Sequence, residues 1–136
     1  MLQKLDIVLR FDLHYRDGKY LYIGHNKVSW LEAVEECKKL NMTLVTIRSE
    51  EENSAVLTLL KENRVTLPWI GGYNYQENGE FRWIATGELF SYTKWHNDMS
   101  NTNDSNRNCV YMEREGTWNN FNCMAISIYM CELVVS

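Results

Sequence analysis

Tryptophan, glycine and cysteine residues are concentrated between residues 69 and 132, and this stretch is the part of the sequence most informative about the fold. In chain order it contains Trp69-Ile70-Gly71-Gly72, Phe81-Arg82-Trp83, Trp95, Cys109, Trp118-Asn119-Asn120, Cys123 and Cys131-Glu132. A string of this length, with its cysteines and tryptophans in register, is much more specific than a single short motif. A polar segment of thirteen residues lies between Trp95 and Cys109.

The cysteines are informative without any comparison. The chain has four of them, an even number, and no Cys-x-x-Cys pair that would seat zinc. Two disulfides are therefore favoured over free buried thiols, and four cysteines allow three connectivities. Because disulfides persist in oxidising compartments, we expect a secreted, extracellular protein.

The segment upstream of residue 69 predicts two helices. Ser29 and Glu32 are spaced as a capping box, and the apolar period that follows predicts a helix ending near Asn41, with an i,i+4 pair between Glu35 and Lys39. A second capping box, Ser49 to Glu52, opens another helix. Its inward positions are predicted to be Ala55, Val56, Leu59 and Leu60.

Short strands are predicted before, between and after these helices. The β-branched and aromatic runs lie at residues 19–23, 43–47, 69–70, 81–83, 109–112 and 126–133. Two helices followed by a series of strands indicate an α+β fold.

Composition excludes several classes of function. The 136 residues fit one domain, and 14 basic against 18 acidic residues leave a net charge of −4, so nucleic acid is not an expected partner. No apolar run reaches the length of a membrane span. Charges interrupt residues 5–12, so this segment is not a signal peptide; we expect that any signal has been removed and that Met1 is an expression start.

The string from Trp69 to Glu132 resembles the C-type lectin-like domain, and Trp30-Leu31-Glu32-Ala33 with Cys37 resembles the first helix of that family. The resemblance divides the chain into an N-terminal segment, residues 1–18, and a domain, residues 19–136. It implies the C-type lectin-like fold: two helices flanking short antiparallel sheets, a long polar loop, and the disulfides Cys37–Cys131 and Cys109–Cys123.

The short four-cysteine form is similar to secreted insect C-type lectins. This similarity implies a non-catalytic recognition module of innate immunity, with a glycan or protein ligand and a second lectin-like chain as a partner. It is an analogy between folds and does not derive from any particular site.

The thirteen-residue segment 96–108 contains five asparagines and one apolar residue, Met99, and is predicted to be a functional surface loop. In sugar-binding members of the family, calcium is held by a Glu-Pro-Asn or Gln-Pro-Asp triplet, a Glu shortly before the cysteine, and the Asn-Asp after the later Trp. The matching positions here are Met99, Ser100, Asn101, Arg107, Asn119 and Asn120.

Three of these positions lack the carboxylates that set calcium affinity, since they hold Met99, Arg107 and Asn120. A guanidinium would also repel a divalent cation. We therefore expect a degenerate site without calcium or another cofactor. Asp98 and Asp104 could build an altered site with Asn97 or Asn101, although Asx side chains in such a loop more often satisfy turn backbone.

Two other hypotheses are a calcium-dependent carbohydrate-binding lectin with an altered site and an enzyme. An auxiliary calcium would have to use Glu77 or Glu80. The histidines, His14, His25 and His96, are isolated and lie in no catalytic motif. The acidic clusters at 50–52 and 113–115 are explained by a helix start and by a turn after a strand.

Aromatic residues and sequons complete the candidates. The five tryptophans match framework positions and are expected in the core, while Tyr73, Tyr75, Tyr92 and Phe121 are candidates for exposed interface anchors. Asn41 and Asn103 begin N-glycosylation sequons.

Overall fold

The computed structural model describes residues 13–76, 79–96 and 106–133. Its elements in chain order are β1 (His14–Arg16), β2 (Lys19–Val28), α1 (Trp30–Lys39), β3 (Met42–Leu44), α2 (Glu50–Glu62), β4 (Trp69–Tyr75), β5 (Glu80–Trp83), β6 (Cys109–Met112), β7 (Trp118–Phe121) and β8 (Ser127–Leu133). The predicted α+β class with two helices is confirmed.

The strands form one sheet in the order β1-β2-β8-β4-β6-β7, with β3 added to β8 and β5 added to β4. The pairs are antiparallel except for β4 with β8, which run parallel where Trp69 meets Tyr129. Adjacent strand residues point to opposite faces. Trp69 and Tyr129 accordingly pack with α1, whereas Ile70 and Met130 pack in the cluster that contains α2.

Both helices begin where the sequence places them. Ser29 caps α1 through a complete capping box, in which its hydroxyl accepts from Glu32 N at 3.3 Å and its own N–H donates to Glu32 Oε1 at 2.9 Å. Ser49 caps α2, but Glu52 accepts from Arg48 N at 2.8 Å, so the second reciprocal box was predicted wrongly.

Three further predictions about the helices and strands need correction. Lys39 pairs with Glu36 at 2.8 Å, one position closer than the predicted Glu35. The strand predicted at 43–47 ends at Leu44, because the amide of Thr46 donates to the Glu132 carboxylate instead of to a neighbouring strand. Ala55 is only half-buried.

Strand β1 was not predicted. It pairs with β2 across a tight turn in which Asp17 and Gly18 both have positive φ, 48° and 81°. The division of the chain at residue 19 stays a prediction.

The disulfides Cys37–Cys131 and Cys109–Cys123 are formed, which confirms the pairing implied by the resemblance. The first joins α1 to β8, and the second joins β6 to the turn after β7. In the described part of the chain, neither helix is long and apolar enough to cross a membrane.

Candidate functional site

The hairpin of β6 and β7 carries the candidate site. Its register places Val110 opposite Asn120 and Tyr111 opposite Asn119. Because side chains alternate along β7, Trp118 and Asn120 are fully buried, while Asn119 is half-buried and Phe121 is exposed. The hairpin therefore presents Asn119 and Phe121 on its outer face.

A buried hydrogen bond fixes β7 against helix α2. Trp118 Nε1 donates to Asn53 Oδ1 at 2.7 Å, and Asn53 Nδ2 donates to the carbonyl of Gly116 at 2.9 Å. Asn53 is 1% exposed. The sequence analysis missed this residue, since a single asparagine on a helix gives no signal of a partner in a distant turn.

The Arg107 side chain reaches across to β7. Its Nη2 donates to Asn120 O at 2.8 Å and to Asn119 Oδ1 at 3.3 Å, and Asn120 Nδ2 donates back to Arg107 O at 2.8 Å. The structure thus brings together three of the six residues that the sequence predicted for the loop site.

The side-chain amide of Asn119 is hydrogen-bonded through both its oxygen and its nitrogen. Its Oδ1 accepts from Arg107 Nη2 and from Asn120 N at 2.9 Å, while its Nδ2 donates to Glu113 Oε2 at 3.3 Å. An amide oxygen has two lone pairs, and both have donors here. The Asn119 oxygen is therefore occupied by protein groups.

Glu113 continues this network toward His96. Its Oε1 accepts from Thr117 Oγ1 at 2.7 Å and lies 2.9 Å from His96 Nδ1. Sequence reasoning treated Glu113 and His96 as unrelated, since seventeen positions separate them and no motif connects them. Glu113 therefore contacts the nitrogen of the Asn119 amide, whereas Arg107 contacts its oxygen.

The charge of Arg107 also faces one aromatic ring, that of Phe121. Its guanidinium carbon lies 5.7 Å from the centroid of the Phe121 ring, within the range of a cation–π contact. Burial raises the pKa of Tyr111, Glu113 adds to the rise and Arg107 opposes it. Within the described ranges, Arg107 forms no ion pair with a carboxylate.

Several predicted residues lie outside the described part of the chain. These are Met99, Ser100, Asn101, Asn103 and Glu77, together with the Asp and Asn alternatives in the loop and the side chain of Tyr75. Glu80 lies 3.4 Å from Arg82, and Asn41 is exposed in the turn that follows α1.

The other candidates have structural partners. Tyr73 packs on Trp30 with ring centroids 5.6 Å apart, and both Tyr73 and Tyr92 are half-buried. Tyr92 donates its hydroxyl to Glu50, and this bond, followed by the one from Lys94, lowers the pKa of the Glu50 carboxyl. Phe121 is exposed, and four of the tryptophans are buried; Trp95 is half-buried.

Comparison with known proteins places this geometry in context. The sequence profile of the lectin C-type domain matches residues 26–133. The chain is 28% identical over 127 residues to C-type lectin mosGCTL-7 of Aedes aegypti, covering 85% of this chain and 83% of that protein. It is also 28% identical to the hepatic lectin of Gallus gallus, covering 87% of this chain but only 56% of the relative. The chain thus spans little more than half of the second relative.

A solved structure shows the same fold. It is the cow C-type carbohydrate-recognition domain of CD23 in the presence of GlcNAc2Man3 oligosaccharide. The superposition has a TM-score of 0.79 at 26% identity and covers 93% of this chain and 95% of the other.

Proposed function

Because the chain belongs to the lectin C-type domain family, we propose that it is a secreted, non-catalytic recognition module of innate immunity that binds a protein surface or a glycan without calcium. Members of this family are recognition domains, and the fold and the two disulfides are those that the resemblance implies. The disulfides support secretion, since such bonds persist in oxidising compartments.

The position of Arg107 carries the calcium part of the proposal. Its Nη2 lies 3.3 Å from Asn119 Oδ1, the oxygen that the resemblance would assign to calcium. Two unit charges of the same sign 4 Å apart repel each other by about 4 kcal/mol at an effective dielectric of about 20. The repulsion is about twice as large when one of the charges is a divalent ion. Arg107 is half-buried, so solvent weakens this repulsion, but the positive charge still disfavours calcium binding.

The neighbouring ligands support the same conclusion. The Asn119 oxygen already accepts two hydrogen bonds, so calcium would have to displace both donors. Asn120 offers an amide where the resemblance expects a carboxylate, and it is fully buried. Calcium affinity rises with the number of carboxylate ligands, and these two strand positions provide none.

The ligand proposal rests on the family and on exposure. The cow domain was solved in the presence of an oligosaccharide, and a glycan ligand is the corresponding proposal for this chain. A protein ligand is supported by the exposed ring of Phe121 beside Arg107, because aromatic and arginine side chains are enriched among interface hot spots. Pairing with a second lectin-like chain is proposed from the similarity to insect lectins alone.

Affinity chromatography on immobilised monosaccharides, run with calcium and then with a chelator, tests this proposal. We expect any retention on a sugar to be the same in both buffers. Retention that requires calcium would contradict the proposal and establish the alternative, a calcium-dependent lectin with an altered site. Retention on no sugar in either buffer would favour the protein ligand.

A further inference from the structure

A hollow of about 250 Å³ opens on the surface beside the β6–β7 hairpin. Its lining residues are Leu67, Trp69, Tyr111, Phe121, Ala125, Ile126 and Ser127. Three of them are large apolar side chains with high exposure: Leu67 at 38%, Phe121 at 44% and Ile126 at 64%. Exposed apolar side chains gathered around a concave surface are typical of a binding site.

The walls of the hollow are fixed by hydrogen bonds and by a disulfide. Ser127 Oγ donates to the carbonyl of Leu67 at 2.6 Å, and Trp69 Nε1 donates to the carbonyl of Val28 at 3.1 Å. Ala125 lies two residues after Cys123, which forms a disulfide with Cys109. The Ala125 N–H donates to the carbonyl of Asn122 at 3.0 Å and so closes a turn. A site that is already ordered loses less entropy when a ligand binds.

The size and lining of the hollow favour an apolar side chain over a sugar. A cavity of about 150 Å³ accommodates a benzene ring, so one large side chain fits here. The Tyr111 ring meets Trp69 and Phe121 edge to face, with both centroid distances 6.4 Å. The Ser127 hydroxyl already donates its proton to Leu67 O, so it can serve a sugar hydroxyl only as an acceptor.

One positively charged side chain, Arg107, lies beside the hollow. Arg107 lies over Phe121 at 5.7 Å, and in the described segments it is paired with no carboxylate. An acidic group entering next to an apolar side chain would find the guanidinium at the edge of the apolar surface. Charge-assisted hydrogen bonds of this type add orientation as well as attraction.

We propose that this hollow binds a partner protein through one apolar or aromatic side chain, with an adjacent carboxylate pairing with Arg107. This proposal describes the protein ligand of the proposed function in more detail. It rests on the proposed function in one respect, which is that calcium does not displace Arg107. The apolar side chain supplies the contact area, and the carboxylate selects the orientation.

N-acetylphenylalanine is a minimal probe, because it carries one ring and one carboxylate, and N-acetylphenylalaninamide is its uncharged control. We expect the acid to bind with a Kd on the order of 1 mM and to shift the indole N–H signal of Trp69 and the amides of Phe121 and Ile126 in ¹⁵N NMR spectra. We expect the amide to bind about threefold more weakly at low salt, a difference that shrinks at high salt.

Three variants separate the apolar and ionic contributions. Arg107→Gln should remove the preference for the acid, so that the acid and the amide bind equally well. Ile126→Ser should weaken both probes at least threefold, whereas Leu89→Ser, which alters an exposed leucine outside the hollow, should change neither. Spectra of each variant establish that it is folded.

The proposal is overturned if the probes shift residues away from the hollow, if Ile126→Ser binds like the native chain, or if Arg107→Gln retains the preference for the acid. Glucuronic acid that shifts the same signals while N-acetylphenylalanine does not would assign the hollow to acidic sugars instead. Self-association abolished by Ile126→Ser, without any probe response, would assign it to a second copy of this chain. Repeating the titration with calcium separates the two proposals: calcium binding with unchanged probe shifts would contradict only the calcium-free function.

Discussion

Replacing Arg107 and Asn120 together with Glu and Asp should give the chain a weak calcium site. The two substitutions remove a guanidinium that donates to Asn119 Oδ1. They also place one carboxylate in β7, at position 120, and a second at position 107, which contacts β7. They thus remove one of the two donors to the Asn119 oxygen, Arg107 Nη2, while Asn120 N remains. The expected ligand set remains incomplete, since Met99 and Ser100 are unchanged.

The magnitude follows from charge and mass action. Reversing one charge about 4 Å from a divalent ion changes the interaction by several kcal/mol even after solvent screening. Sites with few carboxylates in extracellular modules bind calcium with a Kd of about 10⁻⁴ to 10⁻³ M. With a Kd of about 1 mM, about 10 mM calcium stabilises the folded state by about 1.4 kcal/mol. The melting temperature should then rise by about 3–5 °C.

The assay is thermal unfolding followed by circular dichroism, with and without calcium at matched ionic strength. The native chain and Lys38→Glu, which makes the same charge reversal at an exposed position on α1, should both shift by less than about 1 °C. A double variant that folds but whose melting temperature does not rise with calcium would show that these side chains are not what keeps calcium out. An equal rise in the melting temperature of the native chain would show the same.

Three further outcomes are expected. Asn53→Leu leaves two buried partners without a hydrogen bond and should lower the free energy of unfolding, measured in urea, by about 2–6 kcal/mol. Ser54→Leu, at the exposed neighbouring position, should change it little, and a loss below about 1 kcal/mol for Asn53→Leu would contradict this. Glu132→Ala removes the acceptor of the Thr46 amide and the partner of Lys19, so unfolding should become easier by about 2–4 kcal/mol, and a native-like midpoint would count against the network. Material secreted by a eukaryotic host should carry a glycan at Asn103 in peptide mass spectra, and unmodified Asn103 throughout would contradict that expectation.

The helix starts were predictable because their signals are local. A serine that caps its own helix needs partners only three residues away, and both Ser29 and Ser49 cap as expected. The disulfide pairing was predictable for another reason: the spacing of the cysteines and tryptophans resembles a known family. Composition and spacing alone left three connectivities open.

The contacts that assemble the site were not predictable, because they join residues distant in sequence. Asn53 bonds to Gly116 and Trp118, which lie 63 and 65 positions away. The strand expected at 43–47 ends early for a similar reason, since the Thr46 amide donates to the carboxylate of Glu132, 86 positions later in the chain. The sequence placed a guanidinium at position 107, but only the fold shows which oxygens it occupies.

Isothermal titration of the native chain with calcium measures directly whether the site is closed to this ion. No saturable heat is expected up to about 10 mM calcium, because Arg107 and its hydrogen bonds occupy the Asn119 oxygen and the neighbouring strand positions lack carboxylates. Saturable binding of one calcium with a Kd of about 1 mM or tighter would contradict this expectation and would favour the alternative of a calcium-dependent lectin with an altered site.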